Sequence, residues 1–300
     1  MLFSSQHISV VIQGPIYSQY NIEDHVITMR KILPESEFIL SSDTIYIDKN
    51  SLFDHIIYNK DINTLPPLKF NQQSKNNINK QIYSSLLGIK KSSRPLILKI
   101  RTDQFLSDII FLEIWNHLKE LDRKILVGKG RILTTSLYTL NPNSYERMAY
   151  HISDMLLFGY KEDIERFFSC PKYEYEDAIW YEYNKHALHS NKIEKTFRSR
   201  FAVEQWLTLN YIFKNKNFPI KYHNDISKKI INQFENFLVD TFIIVHPRDI
   251  CLSMPKFTRD YNSFTANLTC YSTNDYKKLL KTKRNLDFKI TIKKNFPHHT

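Results

Sequence analysis

Short β-branched runs alternate with stretches of helical period over the first 121 residues, and no other feature restricts the fold as much. Residues 7–12 hold the apolar run Ile8-Ser9-Val10-Val11-Ile12, which reads as a buried parallel strand stopping at the turn signal Gln13-Gly14-Pro15. Residues 21–33 carry Ile22, Val26, Met29 and Leu33 at helical spacing, with acids early, Arg30 and Lys31 late, and Pro34 as a stop. Residues 38–40 and 56–58 read as short strands, 74–91 as the clearest helix, 96–101 as a strand and 107–121 as a helix. Strand and helix in regular succession predict an α/β fold: a Rossmann-like, mostly parallel sheet flanked by helices. In such a sheet the loop after the first strand faces the ligand.

The pattern loosens beyond residue 121. Residues 125–127 and 132–135 flank Gly128-Lys129-Gly130, so a hairpin or a flexible loop is expected there. A strand over 155–158 ends at Gly159, helices follow over 162–168, 202–213 and 227–238, and a late strand over 241–245. Residues 171–200 alternate aromatic and charged side chains without a period and suit an acceptor-binding insertion. No repeat and no Gly/Ser-rich or Pro-rich linker marks a boundary, so we expect a core over residues 1–245 and a C-terminal helical, basic elaboration over 246–300 packed on it.

Composition narrows the class. With 42% hydrophobic and 24% charged residues the 300-residue chain is neither disordered nor fibrous. No apolar run approaches the ~18–20 residues of a membrane span, and the N-terminus lacks a basic segment and a small-residue cleavage site, so a cytoplasmic protein is expected. Cys170, Cys251 and Cys270 stand far apart with no CxxC pair and read as reduced. A net charge of +11 implies an anionic partner: nucleic acid, nucleotide, acidic glycan or membrane face. No RNA-recognition signature, zinc knuckle or helix-turn-helix spacing supports nucleic acid. Between Tyr276 and Lys294, Lys277, Lys278, Lys281, Lys283, Arg284, Lys289, Lys293 and Lys294 face one acid, Asp287, with Leu279, Leu280, Leu286, Phe288, Ile290 and Ile292 interleaved. That tail reads as a membrane-surface patch or as a solvated basic face.

The segment LILKIRTDQFL, residues 96–106, is the sharpest chemical signal. Period two places Lys99, Arg101 and Asp103 on one face. A carboxylate at the carboxyl end of such a strand can hold a divalent cation against a diphosphate, while Lys99 and Arg101 add charge-assisted bonds. On pattern alone an Arg-Asp pair closing a strand edge weighs about as much. Asp154 is a candidate to orient an acceptor hydroxyl or take its proton, or a turn cap after Ser153. Glu204 stands in the first turn of a helix with no Ser or Thr at 201 to form a capping box, which leaves room for a catalytic role. His246, after the last strand, is a weaker candidate ligand.

Five blocks together resemble a known family. VVIQGPI (10–16), NINKQIYSSLLGIKK (77–91), LKIRTDQ (98–104), SDMLLFG (153–159) and AVEQWL (202–207) resemble, in order, the blocks of the WavE lipopolysaccharide-synthesis family. The resemblance implies a GT-A-type glycosyltransferase with a nucleotide-sugar donor, a divalent metal (Mn²⁺ or Mg²⁺) on an acidic motif, and a lipopolysaccharide, lipooligosaccharide or capsule acceptor. By position, Asp103 falls where the metal-binding or diphosphate-binding acid would stand, with Arg101 and Lys99 beside it. Gln13 and Gly14 fall where base and ribose pack. Asn77, Lys80 and Gln81 lie in the block where the family prefers an Arg-Gln pair, this chain having Lys80 in the arginine position. After the third strand the Asp-Pro-Gly turn associated with the family is missing, and Asp61 is the acid nearest its place. The combined expectation is a transferase at the inner face of the inner membrane, with Asp103 as metal ligand and Glu204 or Asp154 as base. A non-catalytic basic membrane-associated binding protein and a sugar nucleotidyltransferase stay open beside it.

Overall fold

Strands covered by helices on a sheet's faces lose all exposure, and β1 (Ile8–Gln13), separated by α1 (Ile22–Ile32) from β2 (Glu37–Ser42), is buried along its whole length, as is β2. The computed structural model describes residues 3–214, 217–261 and 263–289. After β2 come β3 (His55–Tyr58), α2 (Ile78–Lys91), β4 (Leu96–Arg101), the two-residue β5 (Phe105–Leu106) and α3 (Ile110–Leu118). The second half holds β6 (Ile132–Thr135), β7 (Leu157–Tyr160), α4 (Lys161–Phe168), the short α5 (Tyr175–Ala178) and α6 (Trp180–Tyr183), α7 (Val203–Ile212) and α8 (Lys228–Thr241). It closes with β8 (Phe242–Val245), β9 (Leu252–Ser253), α9 (Thr258–Tyr261), α10 (Phe264–Thr269) and α11 (Thr273–Arg284).

Seven strands form one sheet in the order β3-β2-β1-β4-β7-β6-β8. All neighbours pair in parallel except β7, which runs antiparallel to both β4 and β6. The α/β, mostly parallel expectation therefore holds. β1 leads to β2 on one side and pairs with β4 on the other, and the crevice beyond the strand ends at such a reversal is where α/β sheets take ligands. The register pairs Gln13 with Arg101 and with Ser41, so the ends of three parallel strands lie side by side.

Helix boundaries follow local chemistry. Asn21 caps α1, its side chain accepting from Glu23 N at 3.1 Å, and Ser227 caps α8 by accepting from Ile230 N at 3.2 Å. α2 starts at Ile78, later than the expected residue 74, because Asn76 Oδ1 accepts from Ile78 N at 3.0 Å and stops the chain from winding earlier. The small and polar residues on one side of α2 divide by role: Asn77 and Gln81 face a cleft, whereas Gly88 lets α2 lie flush on the sheet. A Cβ at Gly88 would come within 2.5 Å of Val11 Cγ1. We expect Gly88→Ala to lower stability by about 1–2 kcal/mol, since overpacking costs about 1–3 kcal/mol and outweighs the helix-propensity gain of up to ~1 kcal/mol. Urea unfolding measures this, and an unchanged midpoint would mean that the contact relaxes without cost.

Of the hairpin and the loop expected around Gly128-Lys129-Gly130 the structure has the loop, whose amides bond to distant acids: Asp240 Oδ2 accepts from Ile125 N at 2.8 Å, and Asp163 accepts from Lys129 N and Gly130 N at 2.9 Å each. One expectation is corrected. β7 starts at Leu157, so Asp154 stands ahead of the strand. Across the sheet centre Trp115 packs against Phe158 and Tyr160 at 5.0 and 5.1 Å between centroids, its Nε1 donating to Arg131 O at 2.7 Å.

α11 lies against β8 and α8. Tyr276 Oη donates to Phe242 O at 2.6 Å, and the buried Arg284 forms a two-pronged pair with Asp240 at 2.6 and 2.5 Å. Lys283 Nζ reaches Glu235 at 3.0 Å. Leu280 and Phe288 point inward and Leu279 and Leu286 pack beside them, so these four apolar residues of the basic tail serve the core, and Lys278 and Lys281 are the tail's exposed cations within α11. Ile290, Ile292, Lys293 and Lys294 lie outside the described residues. Among the described residues no helix is long and apolar enough to cross a membrane.

Candidate active site

The three adjoining strand ends are stapled together by polar bonds from the residues just past them. Gly14 N donates to Ser41 O at 3.2 Å, Thr102 N to Gln13 O at 3.2 Å, and Thr102 Oγ1 to Pro15 O at 2.6 Å. Gly14 holds φ at +123°, a backbone state that side chains other than hydrogen rarely adopt. Above this edge lies a cleft of about 250 Å³ into which Gln13, Gly14, Asn77, Lys80, Gln81 and Arg101 all project. Six of the residues singled out from the sequence thus meet in one place. The start of α2 forms one wall, a position that favours an anion.

Four of the charged residues lining the cleft are cations, Lys60, Lys80, Arg101 and Lys256, and one is an acid, Asp43. Lys80 Nζ lies 2.6 Å from Asp61 and 3.6 Å from Asp43. The hydrogen bond to Asp61 raises the Lys80 ammonium above its ordinary value. Two polar atoms on the lining have no hydrogen-bond partner among the described residues: Asn59 Nδ2 and Ser84 Oγ, on residues only 3% and 6% exposed. Asn59 Oδ1 already accepts from Ser41 Oγ at 3.2 Å, which leaves its NH₂ as the free donor.

Lys99 and Asp103 stand behind the lining. Lys99 is fully buried, its ammonium donates to Asp154 O at 2.8 Å, and burial brings it down to about 8. Asp103 is also fully buried, and Arg101 Nε and Nη2 donate one bond to each of its oxygens, both at 2.8 Å. Burial opposes the Arg101 charge, but the hydrogen bonds and charge of Asp103 outweigh it and hold the guanidinium above its ordinary value. The metal role expected of Asp103 does not fit this arrangement. Magnesium or calcium sites gather oxygen ligands at about 2.0–2.6 Å, whereas the Asp103 carboxylate is closed off by a bidentate arginine. Among the described residues no three His, Cys, Asp or Glu side chains come together to hold a cation.

The two candidate bases differ in setting. Asp154 accepts a hydrogen bond from Gln81 Nε2, one step behind the cleft, and is not a turn cap. Glu204 is the second residue of α7, and Gln205 accepts from Ala202 N at 3.2 Å, the half of a capping box that an alanine cap permits. Glu204 is therefore released from capping, with Oε2 3.4 Å from His151 Nε2 and its side chain 21% exposed. Burial raises its carboxyl above the ordinary glutamate value, against the pull of the His151 charge. His151 Nδ1 lies 2.8 Å from Tyr138 O, a bond that puts the proton on Nδ1 and leaves Nε2 to the carboxyl. Glu204 does not line the cleft, and His246, whose Nδ1 accepts from Arg248 N at 3.3 Å, does not either.

Sequence reasoning passed over Asn59, Ser84, His151 and Lys256. Asn59 follows a strand end and Ser84 shares a helix face with Asn77, Lys80 and Gln81, so both had a positional signal. Lys256 had none: the antiparallel pairing of β5 with β9 brings its segment to the cleft, where Lys256 Nζ lies 3.5 Å from Tyr17 Oη.

Residues 8–296 match the family described as WavE lipopolysaccharide synthesis, nearly the whole of the 300-residue chain. The chain belongs to the WavE family. The expectation of a protein working in surface-glycan synthesis is met by this membership. Among curated proteins none matches. Solved structures similar to this WavE-family chain include the galactosyltransferase LgtC in complex with donor and acceptor sugar analogs, at 12% identity over 92% of this chain and 95% of that one, TM-score 0.38. Another is TarS of S. aureus, residues 1–349, in complex with UDP-GlcNAc, at 10% identity over 92% of this chain and 71% of that one, TM-score 0.34.

Proposed function

We propose that this WavE-family chain is a glycosyltransferase that moves a sugar from a nucleotide-sugar donor to a bacterial surface-glycan acceptor: lipopolysaccharide, lipooligosaccharide or capsule. The observation that carries the reading is the pair of buried, unpartnered groups Asn59 Nδ2 and Ser84 Oγ on a cationic cleft at the ends of parallel strands. A buried polar atom without a partner costs about 1–3 kcal/mol, a cost that a hydrogen-bonding ligand removes. In this reading the nucleoside lies against Gln13, Gly14 and Asn59, and the diphosphate lies toward Lys80 and Arg101. Gln81 aims Asp154 at the reacting side. Glu204, poised by His151, takes the proton of the acceptor hydroxyl as the new glycosidic bond forms and the bond to the diphosphate breaks. Residues 171–200 bound the acceptor side. Lys277, Lys278, Lys281 and Lys289 hold the protein against an anionic inner-membrane face, each contributing up to ~1 kcal/mol.

Thermal melting with a panel of UDP-, GDP-, ADP-, dTDP- and CMP-sugars tests this. At about a hundred times Kd the matching donor adds ~2.7 kcal/mol and raises Tm by several degrees. Release of nucleoside diphosphate or monophosphate on adding acceptor supports a transferase, and release of pyrophosphate would make the protein a nucleotidyltransferase. If no sugar nucleotide moves the Tm, the reading fails.

A further inference from the structure

We propose that the cleft holds the donor's diphosphate without a divalent cation, through Arg101, Lys80, Lys256 and Lys60, with Asp103 acting to aim the Arg101 guanidinium. The proposal rests on the nucleotide-sugar reading above and names how that site neutralises its ligand.

Asp103 is buried under Arg101 with each oxygen already bonded. Before it could ligate a metal, the two-pronged pair would have to break and leave the Arg101 guanidinium without its carboxylate and beside a second cation, which is unfavourable. The same pair has a positive use. It engages Nε and Nη2 and fixes the plane of the guanidinium, while Nη1 makes no hydrogen bond among the described residues and Arg101 lines the cleft. The Phe257 ring, 5.2 Å from Arg101 Cζ, further restricts the plane. The result is a preset donor edge of the kind that binds phosphate oxygens.

The other cations are free to turn to a ligand. Lys80 is held mainly by Asp61, whose side chain is 86% exposed, and surface pairs of that kind resist little. Lys256 comes from the opposite end of the chain, 3.5 Å from Tyr17 Oη and with its ammonium 4.9 Å from the Tyr17 ring centroid. Lys60 lies exposed on the same rim. In the transfer step the anomeric carbon-oxygen bond breaks with its electron pair passing to the phosphate oxygen. The acceptor oxygen bonds to the anomeric carbon, and its proton goes to Glu204. The diphosphate then gains one negative charge, which these donors stabilise where a metal otherwise would.

Calorimetric titration of the full chain with UDP, GDP and ADP, in EDTA and again in Mn²⁺, tests the proposal. We expect the nucleotide that binds to do so with the same Kd in both buffers. Lys256→Gln, a change at an exposed side chain, should weaken it about tenfold with an unchanged Tm, the loss of one charge-assisted bond. The double variant Arg101→Gln with Asp103→Asn removes both charges together, leaves none buried alone, and should weaken binding about ten- to a hundredfold in either buffer. Binding that disappears in EDTA and returns with Mn²⁺ overturns the proposal and leaves the nucleotide reading standing. Wild-type affinity in Lys256→Gln and in the folded double variant overturns it as well. No binding of any of the three nucleotides in either buffer, together with no Tm shift by the dTDP- and CMP-sugars, overturns the nucleotide reading, and the clamp with it.

Discussion

Glu204→Gln is expected to lower kcat by about a hundred- to ten-thousandfold, the usual contribution of a general base, while nucleotide affinity stays close to wild type. Glutamine keeps the shape and a hydrogen-bonding oxygen but cannot take a proton. Burial holds the Glu204 carboxyl above its ordinary value, so in the wild type activity should fall as pH drops through that raised value. The acid limb of the pH profile then lies at higher pH than an unperturbed glutamate, near 4.3, would give. Glu204→Gln should flatten that limb. Stability has the opposite sense, because a carboxyl raised in the folded state binds its proton more tightly there than in the unfolded chain. Its contribution is whole below the unfolded value and is lost as pH rises through the folded one, so the glutamine variant should be no less stable at neutral pH. Steady-state kinetics across pH 5–9 decide the matter; a variant retaining full kcat and the wild-type limb would remove Glu204 from the mechanism.

Asp240→Ala is the largest expected effect on stability. Its carboxylate is fully buried, receives both prongs of Arg284 and accepts from the amides of Lys124 and Ile125. Removing it strands a buried guanidinium and two amides together, and breaking such a pair typically costs about 3–5 kcal/mol. For a chain of this size that corresponds to a fall of roughly 10 °C in Tm. Asp61→Ala, at an exposed pair, should leave the Tm where it is. Scanning calorimetry on the two variants checks both, and equal melting would show that α11 adds nothing to the sheet.

Most of the sheet could be read from the chain because local chemistry settles it. The apolar run before Gln13-Gly14-Pro15 and the one before Arg101 are strands whose ends mark the cleft, and Asp103, in the turn just past β4, meets Arg101 in the strand-closing Arg-Asp pair that is one of the two readings of that motif. What lies over Asp103 was not legible, because periodicity gives the direction of a side chain but not what covers it. Residues 125–127 left hairpin and loop undecided for a related reason: a β-branched apolar run forms a strand only if a partner strand offers hydrogen bonds, and here Ile125 N donates to the distant acid Asp240 instead. His151 and Lys256 depend on contacts between segments with no shared pattern, His151 through Tyr138 and α7, Lys256 through strands two residues long. Arg284 and Lys283 looked like a surface charge cluster because composition cannot show that Asp240 and Glu235 wait for them on α8.

The pairing of β5 with β9 carries a temporal implication. It joins a stretch following the fourth strand to one made after the eighth, and the latter delivers Lys256 to a floor laid down by the first hundred residues. A polypeptide emerging from the ribosome would possess the floor and the α2 wall long before the remaining side arrives. Under the proposed reading, full affinity for a nucleotide would then appear late in synthesis, after β8 has joined the sheet.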